Sequence, residues 1–229
     1  MKYFLDSVCL VTQPILSNLL FQPFIQDRYF LSDIDCRTFK TWYGVILLIS
    51  KRFRIEKLAF IDFPQSQMGR CLILVDIQLN STQTLRIGTV HLESMNNRLS
   101  RSEQLKICQR IFETRSNAIH VLMGDFNFGD EDDEDSMHFR NLPGWIDVWK
   151  VLHQANDYRY TFDTELNLMN KPLKNHSDRS RCDRIIRKNQ KLLPKQIDII
   201  GMDVIGHDKA LPIVVSDHFG LTAVFQVIQ

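Results

Sequence analysis

The feature that most restricts the fold is a series of short apolar segments, rich in β-branched residues, in the first half of the chain. Gly44–Ser50 reads GVILLIS, Cys71–Leu79 reads CLILVDIQL, and Leu85–Leu92 reads LRIGTVHL. Such runs predict buried strands, and Phe53–Phe63 shows the partial alternation of a further strand. The polar link Asn80–Gln83 is short, so we expect the second and third runs to form a hairpin.

The second half of the chain mixes helical and extended patterns. Leu105, Cys108, Ile111 and Phe112 recur at intervals of three and four residues, which predicts a helix over Arg98–Arg115. The other predicted elements are a strand at Ser7–Val11, a helix that begins near Pro14, a strand at Ala118–Met123, a short helix over Trp145–His153, and closing strands at Ser180–Arg187 and Leu221–Ile228. Strands and helices that do not alternate regularly indicate an α/β fold of two packed sheets with helices outside.

Composition fits one globular domain of 229 residues, with 44% hydrophobic residues and no long polar linker. Five widely spaced cysteines, without a C-x-x-C pair, favour reduced thiols in an intracellular protein over a disulfide framework or a zinc site. The apolar N-terminal stretch is interrupted by Asp6 and Pro14, which favours a core strand and helix over a signal peptide. No window predicts a membrane span.

Two charge blocks stand out against a formal net charge of only +1. Asp130–Asp135, DEDDED, consists entirely of acids, and a solvated loop is the favoured interpretation. The segment Lys171–Lys195 is strongly basic. For that segment a solvated loop and a surface that binds a phosphate backbone are equally good interpretations.

Three predicted strands are flanked by acidic, amide or imidazole side chains. The residues are Asp125 and Asn127 in GDFN, His91 and Glu93 in HLES, and Asp217 and His218 in SDH. Residues two apart on an extended chain point the same way, so Asp125 and Asn127 are expected to converge, and Gly124 allows a sharp turn before them.

Each pair alone has an ordinary explanation, such as an Asx turn or a hydrogen-bonded histidine. An EF-hand does not fit, because Asp130 occupies the loop position that requires glycine. Together, however, acid, amide and imidazole are the groups required for metal-assisted hydrolysis of a phosphate ester. The remaining histidines lack such a setting.

In this order, HLES, GDFN and SDH resemble the endonuclease/exonuclease/phosphatase superfamily. The segments RSEQLK, LPGWIDVWKVL, YTFDTELN, RCDRII and VSDHFGL resemble, more narrowly, the 5′-tyrosyl-DNA phosphodiesterases. The resemblance implies a four-layered α/β sandwich and a monomer that acts on DNA ends or protein–DNA adducts, and possibly on RNA. It also implies Mg²⁺- or Mn²⁺-dependent phosphodiester hydrolysis in DNA repair, in the nucleus and/or cytoplasm.

The resemblance also implies roles for particular residues. Asp125 would activate the attacking water, Asn127 and His91 would hold the phosphate, and His218 would stabilise the transition state with its imidazole fixed by Asp217. The substrate would be contacted by Phe162 and Arg184, with Arg184 alternatively a supporting residue beside Glu93 and Asp183. Asp125 and Asp217 would be weak metal ligands.

The chain departs from the superfamily pattern at its N-terminal end. An Asn on the first strand has no counterpart, and DSVCLVTQPIL lacks the Q-E pair whose Glu is the principal metal ligand, since Leu10 is followed directly by Val11 and Thr12. Glu93, Asp217 or the acidic run would have to substitute for that Glu, and the missing strand would expose a sheet edge. The domain, residues 1–229, is therefore expected to be incomplete at its N-terminus.

Two alternatives to the active phosphodiesterase follow. One is a truncated, catalytically impaired relative that only binds nucleic acid or a protein. The other is a hydrolase like the inositol polyphosphate phosphatases, which CDRI at residues 182–185 also resembles.

Overall fold

The computed structural model describes residues 5–130, 133–153, 159–173, 178–208 and 211–228. The helices are α1 (Gln13–Leu20), α2 (Pro23–Arg28), α3 (Arg98–Glu113), α4 (Asp133–Arg140) and α5 (Val148–Leu152), with a 3₁₀ helix at Leu168–Leu173. The strands are β1 (Leu5–Thr12), β2 (Tyr29–Leu31), β3 (Tyr43–Ser50), β4 (Arg54–Asp62), β5 (Cys71–Gln78), β6 (Thr84–His91), β7 (Ile119–Asp125), β8 (Trp145–Asp147), β9 (Phe162–Asp163), β10 (Arg179–Ser180), β11 (Asp183–Lys188), β12 (Leu192–Ile200), β13 (Gly206–Asp208), β14 (Leu211–Ile213) and β15 (Gly220–Val227).

A six-stranded sheet in the order β4-β5-β6-β7-β11-β8 forms the centre of the fold. The predicted hairpin is confirmed as the antiparallel pair β5–β6. The chain then crosses through α3 and returns as β7, which pairs with β6 in parallel. Since parallel strands end at the same edge of a sheet, this crossover brings the carboxyl ends of β6 and β7 together.

The second sheet layer covers one face of the central sheet and consists of β1-β3-β2 and of β12-β15. Strand β3 is apolar throughout because both of its faces are buried. Val45, Leu47 and Ile49 belong to the core between the two layers, whereas Ile46 and Leu48 pack with residues of α1 and α2. A strand buried on both faces loses the alternation of a half-exposed strand, which explains the sequence GVILLIS.

Helix α3 covers the opposite face of the central sheet. Its buried residues Leu105, Cys108 and Phe112 pack with Leu72 of β5 and Leu122 of β7. The order helix, sheet, sheet, helix is the four-layered α/β sandwich that the sequence predicted. Among the described residues, no helix combines the length and the apolar character that crossing a membrane requires.

The second layer is split between its two parts. Among the described strands, β1 pairs only with β3, and β15 pairs only with β12. β1 packs on β7 and β15 packs on β11, so the two strands lie over neighbouring strands without being bonded to each other. A largely apolar cavity of about 470 Å³ runs beside β15 and ends at Asp183 and His218.

Among the elements that differ from the sequence prediction are the helix expected over Trp145–His153 and strand β12. Trp145–Asp147 is a strand, and the helix begins only at Val148, where the carboxylate of Asp147 accepts a hydrogen bond from the backbone N–H of Trp149 at 2.9 Å. Strand β12 was not predicted. Its polar residues and Pro194 obscured a pattern that becomes stable only by pairing with β15.

The expectation of a solvated acidic loop is wrong for Asp130, Glu134 and Asp135, whereas Asp133 is exposed. Asp130 receives two hydrogen bonds from Arg181, both at 2.6 Å, and Asp135 lies 2.9 Å from Nη1 of Arg184. The carboxylate of Glu134 pairs with Arg101 at 2.7 Å. These buried ion pairs attach the loop after β7 and helix α4 to β11 and α3.

We predict that Arg184→Met costs about 3 kcal/mol or more of unfolding free energy, because it leaves the buried carboxylates of Asp135 and Asp147 without one of their partners. Arg179→Met, which breaks an exposed pair with Glu165, should cost about 0–1 kcal/mol. Urea unfolding of both variants measures the difference. Equal losses would show that the buried network does not hold the loop.

Candidate active site

The candidate site lies where three strands of the central sheet meet. His91 is the last residue of β6, Asp125 the last of β7 and Asp183 the first of β11. The ladder pairs His91 with Asp125 and pairs Asp125 with Asp183. Directly paired residues on neighbouring strands present their side chains on the same face of a sheet. His218, which precedes β15, joins them from the second layer.

The distances show that these four side chains form one cluster. Nε2 of His91 lies 3.3 Å from a carboxylate oxygen of Asp125. Nδ1 of His218 lies 2.9 Å from a carboxylate oxygen of Asp183. One ligand atom each from Asp125, Asp183 and His218 lie within 4.8 Å of one another. Residues that are far apart in sequence are thus brought into a single cluster.

Gly124 allows β7 to end in this position. Its φ is +123°, a region that side chains rarely adopt, and a Cβ added there would lie 2.0 Å from the carbonyl oxygen of Val90. The sharp turn expected from the sequence does not occur at Gly124, which keeps its ladder pairs within β7 despite its positive φ. Any residue larger than glycine would push β7 away from β6 at the site itself.

Asp125 is buried, and burial raises the pKa of its carboxyl group. The negative charge of Asp183 raises that pKa further, while His91, His218 and a backbone hydrogen bond from Asn127 lower it. The balance is a carboxylate with a pKa above its ordinary value. Such a group is a stronger base than an exposed aspartate.

The two histidines are held in opposite protonation states. Burial lowers the pKa of His91 to about 4, although Asp125 opposes this, so its imidazole is neutral at pH 7. Burial also disfavours the charged form of His218, but the hydrogen bond and the charge of Asp183 outweigh it and raise the pKa of His218 to about 9. His218 is therefore an imidazolium at pH 7.

Asp217 does not hold the imidazole as expected. Its side chain is exposed and accepts a hydrogen bond from the hydroxyl of Ser216 at 3.2 Å. Asp183, expected to be a supporting residue, is the group that contacts His218. Asp217 and His218 are adjacent in a bend before β15, and His218 is the one whose side chain reaches Asp183.

Asn127 reaches the site by a different route from the one expected. The strand ends at Asp125, and Asn127 adopts a left-handed conformation with φ +54°. Its backbone N–H donates to Asp125 at 2.8 Å, and its side-chain amide donates to the carbonyl of Leu92 at 2.9 Å. Asn127 therefore lies beside Asp125 through a turn, and the amide also ties the loop after β7 to the segment after β6.

Glu93 is not available as a metal ligand. Its buried carboxylate accepts hydrogen bonds from the hydroxyl of Ser66 at 2.7 Å, from the backbone N–H groups of Gln67 and Met68 at 2.9 and 3.0 Å, and from the side chain of Gln104 at 3.0 Å. Four donors saturate a carboxylate. Glu93 supports the loop between β4 and β5, as the supporting role predicted.

Arg184 has no access to a substrate. It is 1% exposed, its guanidinium lies 4.5 Å from the ring centroid of Phe128, and it is paired with acids of the loop network. The expected substrate contact is contradicted, and its position suits the alternative supporting role. Phe162, in contrast, lies at the site, with its ring centroid 5.2 Å from that of His218.

Sequence reasoning missed several residues around the cluster. The ring of Tyr43 lies 6.4 Å from that of His91, and the guanidinium of Arg70 lies 5.2 Å from the Tyr43 ring. Nothing in the sequence marks these two as neighbours of His91. Three of the remaining histidines, His120, His138 and His153, contact protein oxygens outside the cluster, which agrees with their dismissal.

Asp125, Asp183 and His218 form the group that could hold a metal ion. The two carboxylates, those of Asp125 and Asp183, suit a divalent cation, because its charge relieves their repulsion. His218, an imidazolium at pH 7, would join them as a ligand only after losing its proton. Mg²⁺ prefers six oxygen ligands, so most of its shell would come from water and phosphate oxygens. The residues present fit a weakly held divalent ion, and the exposed Asp217 is not part of the group.

Comparisons with known proteins found relatives of this chain among the curated proteins, although not among the family models. No protein-family model matches the chain. Tyrosyl-DNA phosphodiesterase 2 of Danio rerio is 33% identical over 191 residues, which cover 80% of this chain and 49% of the relative. The human protein of the same name is 27% identical over 194 residues, covering 82% and 51%. The chain thus spans about half the length of the curated relatives that it matches.

Solved structures show the same relationship. Danio rerio TDP2 complexed with single-strand DNA product superposes with a TM-score of 0.80 and 26% identity, covering 97% of this chain and 86% of that chain. An endonuclease/exonuclease/phosphatase family protein from Bacteroides thetaiotaomicron has a TM-score of 0.61 at 16% identity, covering 86% and 74%. The resemblance inferred from the motifs is confirmed, and so is the fold.

The opposite states of the two histidines predict a pH dependence that can be measured without metal. Because the pKa of His218 is raised from 6.5 to about 9, its interaction with Asp183 stabilises the fold fully below pH 6.5 and is lost as the pH rises through 9. In EDTA, the unfolding free energy of the wild type should exceed that of His218→Gln by at most about 3 kcal/mol at pH 6, as measured by urea unfolding. The difference between the two proteins should shrink towards pH 9.5.

The control for this prediction is Asp183→Asn, which should return the pKa of His218 towards its ordinary value in an NMR titration. His91 should show no protonation down to about pH 5. A His218 that titrates near 6.5 in the wild type would contradict the assigned pair.

Proposed function

We propose that this chain, a homologue of tyrosyl-DNA phosphodiesterase 2, is a divalent-metal-dependent phosphodiesterase that removes 5′-tyrosyl adducts from DNA. One observation carries the proposal: His91, Asp125, Asp183 and His218 gather at a single edge of the central sheet. We also propose that residues 1–229 act as one domain and that the site of action is the nucleus, where such adducts arise.

The chemistry follows from the state of each group. Asp125, with its raised pKa, orients the attacking water towards phosphorus and accepts its proton. As the new bond from the water oxygen to phosphorus forms, the bond from phosphorus to the tyrosyl oxygen breaks and the tyrosyl group leaves. The imidazolium of His218 donates a hydrogen bond to a phosphate oxygen as negative charge develops there. The neutral His91 and the amide of Asn127 hold the phosphate in line. Bound Mg²⁺ or Mn²⁺ supplies positive charge that neutralises the phosphodiester.

The position of Phe162 is an argument for a nucleic-acid substrate. Its ring is half-buried beside His218, so one part of the ring remains open to a base or to the tyrosyl leaving group. Aromatic side chains stack on bases without sequence preference. DNA ends and protein–DNA adducts are the proposed partners, and RNA ends would be tested beside them.

We predict that the protein hydrolyses a 5′-phosphotyrosyl oligonucleotide in Mg²⁺ or Mn²⁺ and that EDTA abolishes the reaction. Asp125→Asn removes the base and should lower kcat by about 10²–10⁴-fold. The matched control is Asp198→Asn, which changes an exposed carboxylate on β12 and should leave kcat unchanged. Hydrolysis that survives Asp125→Asn would remove Asp125 from the mechanism.

A second candidate function is supported by the donor set. Among the described residues, the candidate metal group offers two carboxylates, and its imidazole is already bonded to Asp183, so the affinity of the group for Mg²⁺ is the property that separates an enzyme from a binding protein. A protein that fails to bind Mg²⁺ or Mn²⁺ by calorimetry, yet binds DNA ends with a steep salt dependence, would be a binding protein that lacks the enzyme's activity.

Substrate class is tested by a direct competition. Proteins with this fold include a mannosyl-6-phosphatase from Bacteroides thetaiotaomicron, similar to this chain with a TM-score of 0.63 at 14% identity, which shows the fold alone. We expect cleavage of the tyrosyl oligonucleotide in preference to release of phosphate from an inositol polyphosphate. The reverse preference would replace the DNA substrate by a phosphorylated small molecule.

A further inference from the structure

The segment Thr161–Asn170 touches the backbone on both sides of His218. On the N-terminal side, the side-chain amide of Asn167 donates to the carbonyl oxygens of Ser216 and Asp217, at 2.8 and 3.0 Å. The side-chain amide of Asn170 donates to the same Asp217 oxygen at 2.7 Å. His218 directly follows the two carbonyls that these amides hold.

The same segment holds the other side of His218 and its partner. The backbone N–H of Phe219 donates to the carbonyl of Thr161 at 2.7 Å. The hydroxyl of Thr161 accepts from the backbone N–H of Asp183 at 3.0 Å. Thr161 is therefore bonded to the residue after His218 and to Asp183, which are the two chain positions that must be in register for the imidazole–carboxylate contact.

Both asparagines are buried and internally braced. Asn167 is fully buried and Asn170 is 2% exposed. The turn before them is fixed by Asp163, whose carboxylate accepts from the backbone N–H groups of Glu165 and Leu166 at 2.8 and 3.0 Å. Buried amides with several hydrogen bonds specify one arrangement, since any displacement leaves polar groups unpaired.

We propose that Asn167 and Asn170 are positioning residues that hold the Ser216–Phe219 backbone so that His218 meets Asp183 at the phosphate pocket. The proposal rests on the proposed function and deepens it. The sequence alone gave no role to either residue, although Asn167 ends the motif YTFDTELN. Displacing a catalytic group by about 1 Å slows a reaction on the order of 10²-fold. The hydrogen bonds of Asn167 and Asn170 to the Ser216–Asp217 backbone, here called the clamp, should therefore affect kcat rather than substrate affinity.

Kinetics of Asn167→Ala and Asn170→Ala test the clamp. We expect kcat for the 5′-phosphotyrosyl oligonucleotide to fall by about 10–100-fold with KM changed by less than about twofold. The matched control is Asn141→Ala, which removes a half-buried amide bonded to Ser102 away from the pocket and should leave kcat unchanged. A fall in kcat of the same size in the control would overturn the proposal.

A double-mutant cycle separates positioning from general loss of structure. If Asn167 acts through His218, Asn167→Ala should cause no further loss of kcat in a His218→Ala background. Independent losses that multiply would show that Asn167 acts elsewhere.

A readout independent of activity distinguishes failure of the clamp from failure of the proposed function. By hydrogen-exchange mass spectrometry, Asn167→Ala and Asn170→Ala should speed exchange in the peptide containing Phe219 by about tenfold or more, relative to a peptide from α3. Unchanged exchange there would overturn the positioning role. A wild type that is inactive on every substrate would overturn the proposed function, while the exchange result would still decide whether the asparagines hold this segment.

Discussion

The structure depends on the register between β6, β7 and β11. His91, Asp125 and Asp183 occupy paired positions on three neighbouring strands, so one alignment of hydrogen bonds places all three at one edge. A slip of one residue in any of these strands would turn its polar side chain to the opposite face and its apolar set to the wrong layer. The buried faces of the same strands therefore enforce the register that the site requires.

That register also sets the electrostatics. Two carboxylates at paired positions repel each other in a buried place, and the structure offsets this with one neutral and one charged imidazole. Asp125 contacts the neutral His91, whereas Asp183 contacts the cationic His218. Two imidazoles of the same chemistry thus differ in protonation state because of their surroundings alone. Such differences are the usual way that a site obtains an acid and a base at pH 7.

A second, buried set of charges holds the loop that follows Asp125. Arg181 and Arg184 emerge from or just before β11 and pair with Asp130, Asp135 and Asp147. Ion pairs of this kind are costly to desolvate and contribute mainly when every partner is present. Here they attach the loop after β7, helix α4 and the end of β8 to the start of β11, beside the site. Asp130 and Asp135 of the acidic run, whose sequence predicted a solvated loop, therefore have a structural role.

Local patterns in the sequence predicted the strands β1, β3 to β7, β11 and β15, helix α3 and two packed sheets with helices outside. They also marked His91, Asp125, Asn127 and His218 as candidate site residues, and the family resemblance implied the four layers. Those features depend on apolar periodicity and on residue types at strand ends, which are properties of neighbouring positions. Only the tertiary structure decided that Asp183 rather than Asp217 holds His218, that Arg184 is enclosed by acids, and that Asn167 and Asn170 hold the segment before His218. These contacts join residues that are tens of positions apart, and no local pattern encodes which distant donor meets which acceptor once the layers pack.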